Sequence, residues 1–150
     1  MGVERLRSFV GSHRLIALDT SVFTYQIDAN LRYLPLSDVV FAWLLQRGNA
    51  AVSSTLSLTE LLVPAYQQGN EPRIQSYYGF LATFPNLTWV PPTLEIADGA
   101  ARVRASYRLK TPDAIQAATA IYSKASVLIS NDPVFKRVKE IDSLVLDDLL

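Results

Sequence analysis

The sequence has no cysteine, a single histidine and no long apolar run, and each absence excludes a kind of chemistry. Without cysteine there is no disulfide, thiolate metal site or cysteine nucleophile. The single histidine, His13, precedes the first predicted strand, so a serine nucleophile with a histidine base is not supported. Phosphate-binding loops of the G-x-x-x-x-G-K-[ST] or G-x-G-x-x-G type are also missing.

Nothing in the sequence predicts a membrane segment. No apolar run reaches the roughly 18 to 20 residues that a membrane-spanning helix needs. The first 18 residues mix charged and apolar side chains and lack the uninterrupted apolar core of a signal peptide. We therefore expect a cytoplasmic protein, and the lack of cysteine agrees with a reducing compartment.

The composition predicts one folded domain spanning residues 1–150. Hydrophobic residues make up 49% of the chain and charged residues 19%, which is typical of a globular protein with a substantial core. The 14 basic and 14 acidic residues give a formal net charge of +0. Because the whole molecule has no excess positive charge, any binding of a polyanion would depend on a local patch.

Short apolar runs alternate with helical patterns along the chain. This alternation predicts an α/β fold in which a parallel sheet is covered by helices on both faces. Right-handed crossovers bring the carboxyl ends of parallel strands to one edge of the sheet. The predicted strands lie near residues 14–18, 50–53, 87–90 and 127–129, with a possible fifth at 144–146.

Four acidic residues stand where strand-like runs give way to helix starts. They are Asp19, Glu60, Asp113 and Asp132, in the strings RLIALDTSVF, AVSSTLSLTELL, LKTPDAIQAATA and VLISNDPVF. Ligands of open parallel sheets bind at the edge where these acids are expected. Because carboxylate oxygens suit Mg²⁺ or Mn²⁺, the pattern predicts a metal-dependent hydrolase.

Each acid also has a purely structural explanation. Asp19 and Asp132 could cap the helices that follow them, and Asp113 is an ordinary first-turn acid. Glu60 lies three residues after Ser57, which is the spacing of a capping box. Four such acids on one edge would nevertheless repel one another, whereas Ser, Thr or Asn would cap the same helices without charge. Taken together, the four acids favour a functional site.

Basic residues cluster shortly before Asp113. A solvated helix face is one explanation, and contact with a phosphate backbone close to the scissile bond is the other. The cluster consists of Arg102, Arg104, Arg108 and Lys110.

These strings resemble the PIN-domain nucleases, and most of all the VapC-type toxins of prokaryotic toxin–antitoxin pairs. The resemblance rests on LDTSVF at 18–23, the helix with Glu60, TPDAIQAATA at 111–120 and SNDPVF at 130–135, and it covers residues 14 to about 146. It implies a three-layer α/β/α sandwich with a central parallel sheet of four to five strands. It also implies a Mg²⁺- or Mn²⁺-dependent ribonuclease that forms a homodimer and is inhibited by a small antitoxin.

The resemblance assigns roles to individual residues. Asp19, Glu60, Asp113 and Asp132 match the family's acidic quartet. Asp19 and Asp113 are expected to contact the metal most directly, and Glu60 and Asp132 partly through bound water. Two further residues, Thr20 and Asn131, match polar positions that orient the acids.

Three alternatives remain open at this point. The chain could be a PIN-domain nuclease of RNA processing or decay, or a catalytically silent PIN module that binds RNA or protein. It could also be a receiver-like signalling module, which gathers acids and Mg²⁺ at the same sheet edge. That class expects paired acids after the first strand and a lysine after the last, and the string ALDTSVF has one acid.

Overall fold

The computed structural model describes residues 2–150 and contains one five-stranded parallel sheet. The strands are β1 Leu15–Leu18, β2 Ala50–Ser54, β3 Leu87–Val90, β4 Val127–Ser130 and β5 Ser143–Val145. They lie in the order β3-β2-β1-β4-β5, so β3 and β5 are the edge strands. The predicted parallel sheet is thereby confirmed, and the helices on its two faces confirm the three layers.

Helices cover both faces of the sheet. Among residues 2–150 they are α1 Gly2–Gly11, α2 Thr20–Ile27, α3 Leu34–Leu44, α4 Thr55–Gln67, α5 Glu71–Thr83, α6 Leu94–Tyr107 and α7 Thr111–Tyr122. Two 3₁₀ turns follow, at Pro133–Arg137 and Leu146–Leu149, and the second is called the C-terminal turn below. No helix within residues 2–150 has the length and apolar character needed to cross a membrane.

The hydrophobic core has two parts, one on each side of the sheet. Along β1, Ile16 and Leu18 belong to the part packed with α1 to α5, whereas Ala17 belongs to the part packed with α6 and α7. Successive strand residues point to opposite faces, so both faces of β1 are buried. This double burial explains why the strands read as continuous apolar runs instead of alternating ones.

The start of α4 differs from the sequence prediction. Ser54, the last residue of β2, is its N-cap and accepts a 3.1 Å hydrogen bond from the amide of Leu56. Ser57 lies fully buried inside the helix instead of at its start. The predicted capping box between Ser57 and Glu60 is therefore wrong, and the polar side chain of Ser57 is available for other contacts.

The order of the strands determines where a site can form. The chain adds β2 and β3 on one side of β1, and then adds β4 and β5 on the other side. The order in which strands are added therefore reverses at β1. A crevice opens at the carboxyl ends of the strands at such a switch point. Asp19 follows β1 directly, and Asn131 and Asp132 follow β4 directly.

Candidate active site

Asp19 lies at the bottom of the crevice between β1 and β4. It occupies the N-cap position of α2, but its side chain makes no capping hydrogen bond. The carboxylate instead accepts a 2.7 Å hydrogen bond from the hydroxyl of Ser130, the last residue of β4. Capping therefore does not explain this acid.

The surroundings of Asp19 favour its protonated form. Burial raises the pKa of Asp19 to about 6 from an ordinary 3.8, and the charges of Glu60 and Asp113 add to the increase. The Ser130 hydrogen bond acts in the opposite direction. A carboxyl group in this position would gain from a neighbouring positive charge.

Glu60 projects from the second turn of α4 and is exposed. Its Oε1 atom lies 3.0 Å from the hydroxyl of Thr20, which donates to it. The same hydroxyl lies 3.0 Å from Oγ of Ser57, and with one proton it can donate to only one of them at a time. The contact with Glu60 is the kind that an orienting role for Thr20 requires, and that role stays a prediction.

Asp113 and Asp132 complete the group. Asp113 is half-buried in the first turn of α7, where burial raises its pKa and the charges of Asp132 and Glu60 raise it further. Asp132 is exposed, and its Oδ1 atom accepts a 2.9 Å hydrogen bond from the amide of Val134, so the predicted cap is present. Asp113 thus lies within electrostatic range of the other three predicted acids, and Glu60 also lies within range of Asp19.

The donor chemistry of this group fits a hard divalent cation, although the side chains do not form a closed cage. Within residues 2–150, no three acidic or histidine side chains converge tightly enough to enclose an ion by themselves. Mg²⁺ usually keeps several of its waters and needs only one or two carboxylates. The four carboxyl groups therefore fit Mg²⁺ or Mn²⁺ in a shell that is completed by water.

Ser57 links α4, which carries Glu60, to α7, which carries Asp113. Its buried hydroxyl accepts a 2.6 Å hydrogen bond from Nε2 of Gln116 and lies 3.2 Å from the hydroxyl of Ser53. Ser57 precedes Glu60 by one turn of α4, and Gln116 follows Asp113 by one turn of α7. This contact fixes α4 against α7 directly below the acids.

Three of these supporting residues, Ser57, Gln116 and Ser130, were not predicted from the sequence. All three are buried polar side chains. Gln116 carried a usable signal, because it is the one amide side chain among the buried residues of α7, which are otherwise four alanines and Thr119. Such a side chain must find a partner inside the protein.

Asn131, the second predicted supporting residue, contacts none of the four acids through its side chain. Its backbone amide donates to the hydroxyl of Ser21 at 3.2 Å, and its side-chain Nδ2 donates to the hydroxyl of Tyr25 at 2.9 Å. Its Oδ1 atom accepts a 2.8 Å hydrogen bond from the amide of Asp147. Any effect of Asn131 on the acids must therefore pass through the backbone to its neighbours, Ser130 and Asp132.

The basic residues of the predicted patch do not share one surface. Arg102 and Arg104 are two residues apart on α6, and at about 100° per residue they leave the helix on nearly opposite sides. Arg102 pairs with Asp98 at 2.9 Å on an exposed face. Arg104 instead donates a hydrogen bond to the hydroxyl of Thr111, two residues before Asp113.

The other two basic residues lie in the link between α6 and α7. Arg108 is the exposed C-cap of α6, with a left-handed backbone at φ 59°. Lys110 is in the N-cap position of α7, where its charge partly offsets the burial that raises the pKa of Asp113. Arg104 and Lys110 are thus tied to the turn that carries Asp113, whereas Arg102 faces away from it.

The sequence model of the PIN domain family matches residues 16–141 of this chain. That segment contains all four acids. No curated protein sequence matches the chain.

Several solved structures have a similar fold. A chain of the VapBC2 complex of Rickettsia felis, bound to a DNA fragment from its promoter, has a TM-score of 0.67 and 18% identity, covering 87% of this chain and 98% of that chain. A toxin–antitoxin complex from Klebsiella pneumoniae has a TM-score of 0.63 and 22% identity, and the match covers 87% of this chain and 97% of that chain. FitAcB from Neisseria gonorrhoeae has a TM-score of 0.62 and 20% identity, with the same coverage of 87% of this chain and 97% of that chain. At these identities the similarity shows the fold alone.

Asp19→Asn should stabilise the metal-free protein at neutral pH but not in acid. Because the pKa of Asp19 is raised when the protein folds, ionisation opposes folding, and stability is lost as pH rises from about 3.8 through about 6. We expect a gain of about 1–3 kcal/mol in the free energy of unfolding at pH 7.5 and little change at pH 4. Urea unfolding in EDTA measures the free energy of unfolding at both pH values, and the exposed Asp142→Asn is the control variant. An equal effect at both pH values would contradict the burial of the Asp19 charge.

Ser57→Ala should destabilise the protein, because the amide of Gln116 is buried and would lose its acceptor. The expected decrease in the free energy of unfolding is about 1–3 kcal/mol, the usual effect of a buried polar group left without a partner. The exposed Ser8→Ala, on α1, is the matched control and should change stability little. Urea unfolding of both variants makes the comparison, and equal midpoints would show that Ser57 does not join α4 to α7.

Proposed function

This chain belongs to the PIN domain family, and from that premise we propose that it is a metal-dependent ribonuclease that hydrolyses RNA phosphodiester bonds. The observation that supports the proposal is that Asp113 lies within range of the charges of Asp19, Glu60 and Asp132, near the switch point of the sheet. The raised pKa values of Asp19 and Asp113 support it, because both groups gain from a bound cation. We assign the catalytic and metal-binding roles to these four residues.

In the proposed mechanism the protein supplies position and charge instead of a histidine base. A bound Mg²⁺ or Mn²⁺ would lower the pKa of a coordinated water and stabilise the charge that develops on the phosphate oxygens. Asp19 and Asp113, the two less exposed acids, would hold the cation most directly. Glu60 and Asp132 are exposed and would act partly through bound water. Thr20 holds Glu60 in place from α2.

The substrate would reach the site past the basic end of α6. RNA is a polyanion and the four acids would repel it, so nearby positive charge is needed to hold the phosphates. Arg104 and Lys110 are close to the turn that carries Asp113 and are suited to this task. We therefore propose that these two residues, with Arg108 beside them, contact the RNA backbone, and that Arg102 contributes least.

We further propose that the protein is the toxin of a VapBC-type pair. The similar structure from Klebsiella pneumoniae is a toxin–antitoxin complex, and its fold matches this one. The proposal includes an antitoxin protein as partner and a homodimer, as the family resemblance implies. Growth arrest on expression, relieved by a small protein encoded next to this gene, would support the toxin role. Unimpaired growth with an active nuclease would favour RNA processing or decay.

Asp113→Asn should abolish cleavage without unfolding the protein. The substitution removes one charge from the cation site, and losses of roughly 10²–10³ in kcat are usual when one such electrostatic contribution is removed. Cleavage of end-labelled structured and unstructured RNAs with Mg²⁺, Mn²⁺ or EDTA provides the measurement, and circular dichroism checks the fold. The exposed Asp142→Asn serves as control and should cleave like the wild type. Full activity of Asp113→Asn would remove Asp113 from the mechanism.

Arg104→Ala should weaken RNA binding more than Arg102→Ala, although both remove one charge from the same helix. In an Asp113→Asn background, the affinity for single-stranded RNA would be measured as a function of salt concentration. Loss of one phosphate contact lowers the salt slope by about 1. We expect that change for Arg104→Ala but not for Arg102→Ala, and Arg104→Lys should retain most of the wild-type slope. Equal effects of the two alanine variants would mean that α6 acts only through its net charge.

A further inference from the structure

The loop after β4 is held by a closed ring of four side chains and one backbone amide. Asn131 donates from Nδ2 to the hydroxyl of Tyr25 at 2.9 Å. The ring of Tyr25 stacks on that of Tyr33, with centroids 4.1 Å apart and planes 16° from parallel. The hydroxyl of Tyr33 donates to Oδ1 of Asp147 at 2.6 Å, and the amide of Asp147 donates to Oδ1 of Asn131 at 2.8 Å.

This ring constrains a short segment with two links to the cation site. Ser130, just before Asn131, donates to the carboxylate of Asp19, and Asp132 follows directly. The Ser130 hydroxyl also accepts a 3.0 Å hydrogen bond from the amide of Asp132. A rotation of the Asn131 backbone would therefore move Asp132 and disturb the hydrogen bond to Asp19.

The residues on either side of Asp147 anchor its segment in the hydrophobic core. Asp147 lies in the C-terminal turn, whose Leu146 and Leu149 are buried in the same core as Leu6 and Val10 of α1. Asp147 is itself exposed and lies outside residues 16–141, the segment that matches the PIN domain family. The contact therefore joins the family's sheet edge to a part of the chain that the family pattern does not describe.

We propose that Asp147 and Tyr33 are positioning residues, which fix Asn131 and thereby hold Asp132 in the orientation that the cation site needs. The proposal rests on the proposed function only in assigning Asp132 to that site. Neither residue need touch the cation or the RNA. Their effect is transmitted through Asn131, so breaking the ring should weaken cation binding even though all four acids are still present.

The test compares four single variants of the full chain with the wild type. Tyr33→Phe and Asp147→Ala each remove the hydrogen bond between Tyr33 and Asp147, and Tyr33→Phe does so without changing the charge. Asp147→Asn keeps an acceptor for the Tyr33 hydroxyl. Asp148→Ala is the matched control, because it removes a charge from the same turn but one that pairs with Lys136 instead of with the ring.

The main measurement is the half-saturating Mn²⁺ concentration, obtained by titration calorimetry without RNA. We expect it to rise about tenfold in Tyr33→Phe and Asp147→Ala, the size usual for groups that orient metal ligands. Asp147→Asn and Asp148→Ala should stay close to the wild type. Amide hydrogen exchange in the metal-free protein should show faster exchange at Asn131 and Asp132 in the first two variants only.

Three results would overturn the positioning role. The first is a Mn²⁺ midpoint that is unchanged in Tyr33→Phe and Asp147→Ala, even if stability falls, since the ring would then be merely structural. The second is an equal rise in Asp147→Ala, Asp147→Asn and Asp148→Ala with none in Tyr33→Phe, which would indicate a charge effect. The third is a wild type that binds no Mn²⁺, which refutes the cation site itself. A wild type that binds Mn²⁺ but cleaves no RNA would refute only the ribonuclease, and the midpoints would still decide the role of Asp147.

Discussion

The carboxyl group of Asp19 is largely buried near Glu60 and Asp113, and the groups around it raise or lower its pKa. Removal from water and the charges of Glu60 and Asp113 all favour protonation. The hydroxyl of Ser130 opposes them by donating to the carboxylate. Further positive charge nearby would stabilise the charged form of this carboxyl group, so the free energy that burial costs and the proposed use of a cation are linked.

The sheet could be predicted from the sequence because its physical basis is local. Apolar runs bounded by turns identify buried strands, and the alternation with helices identifies parallel pairing. The start of α4 could not be predicted in the same way. Ser54 and Ser57 are both plausible caps by composition, and the cap is Ser54 because β2 extends to that residue. The pairing of β2 with β1 and β3 decides that boundary, and no pattern within the helix records it.

Three of the acids stand out for a similar reason, since Asp19 and Asp132 follow strands and Asp113 lies in the first turn of a helix, whereas Glu60 lies in the second turn of α4. The residues that support the acids could not be predicted. Gln116 and Ser57 are 59 residues apart, and Ser130 and Asp19 are 111 apart, so no local spacing reveals either contact. For the basic cluster, the sequence suggested a grouping that the structure does not contain. Arg102 and Arg104 look like one patch in the sequence, but the helical rotation between them separates their side chains.

The strand order also has a consequence for when the site can exist during synthesis. Asp19 leaves the ribosome early, but its partner Ser130 is made 111 residues later, together with Asp132. Until β4 is made, β1 lacks its neighbour on one side and the central crevice lacks one of its two walls. Since β4 must insert beside β1 before the four carboxyl groups meet, the chain cannot carry the complete site until nearly all of it has been translated. The four acids can therefore come together only after residue 132 has been made.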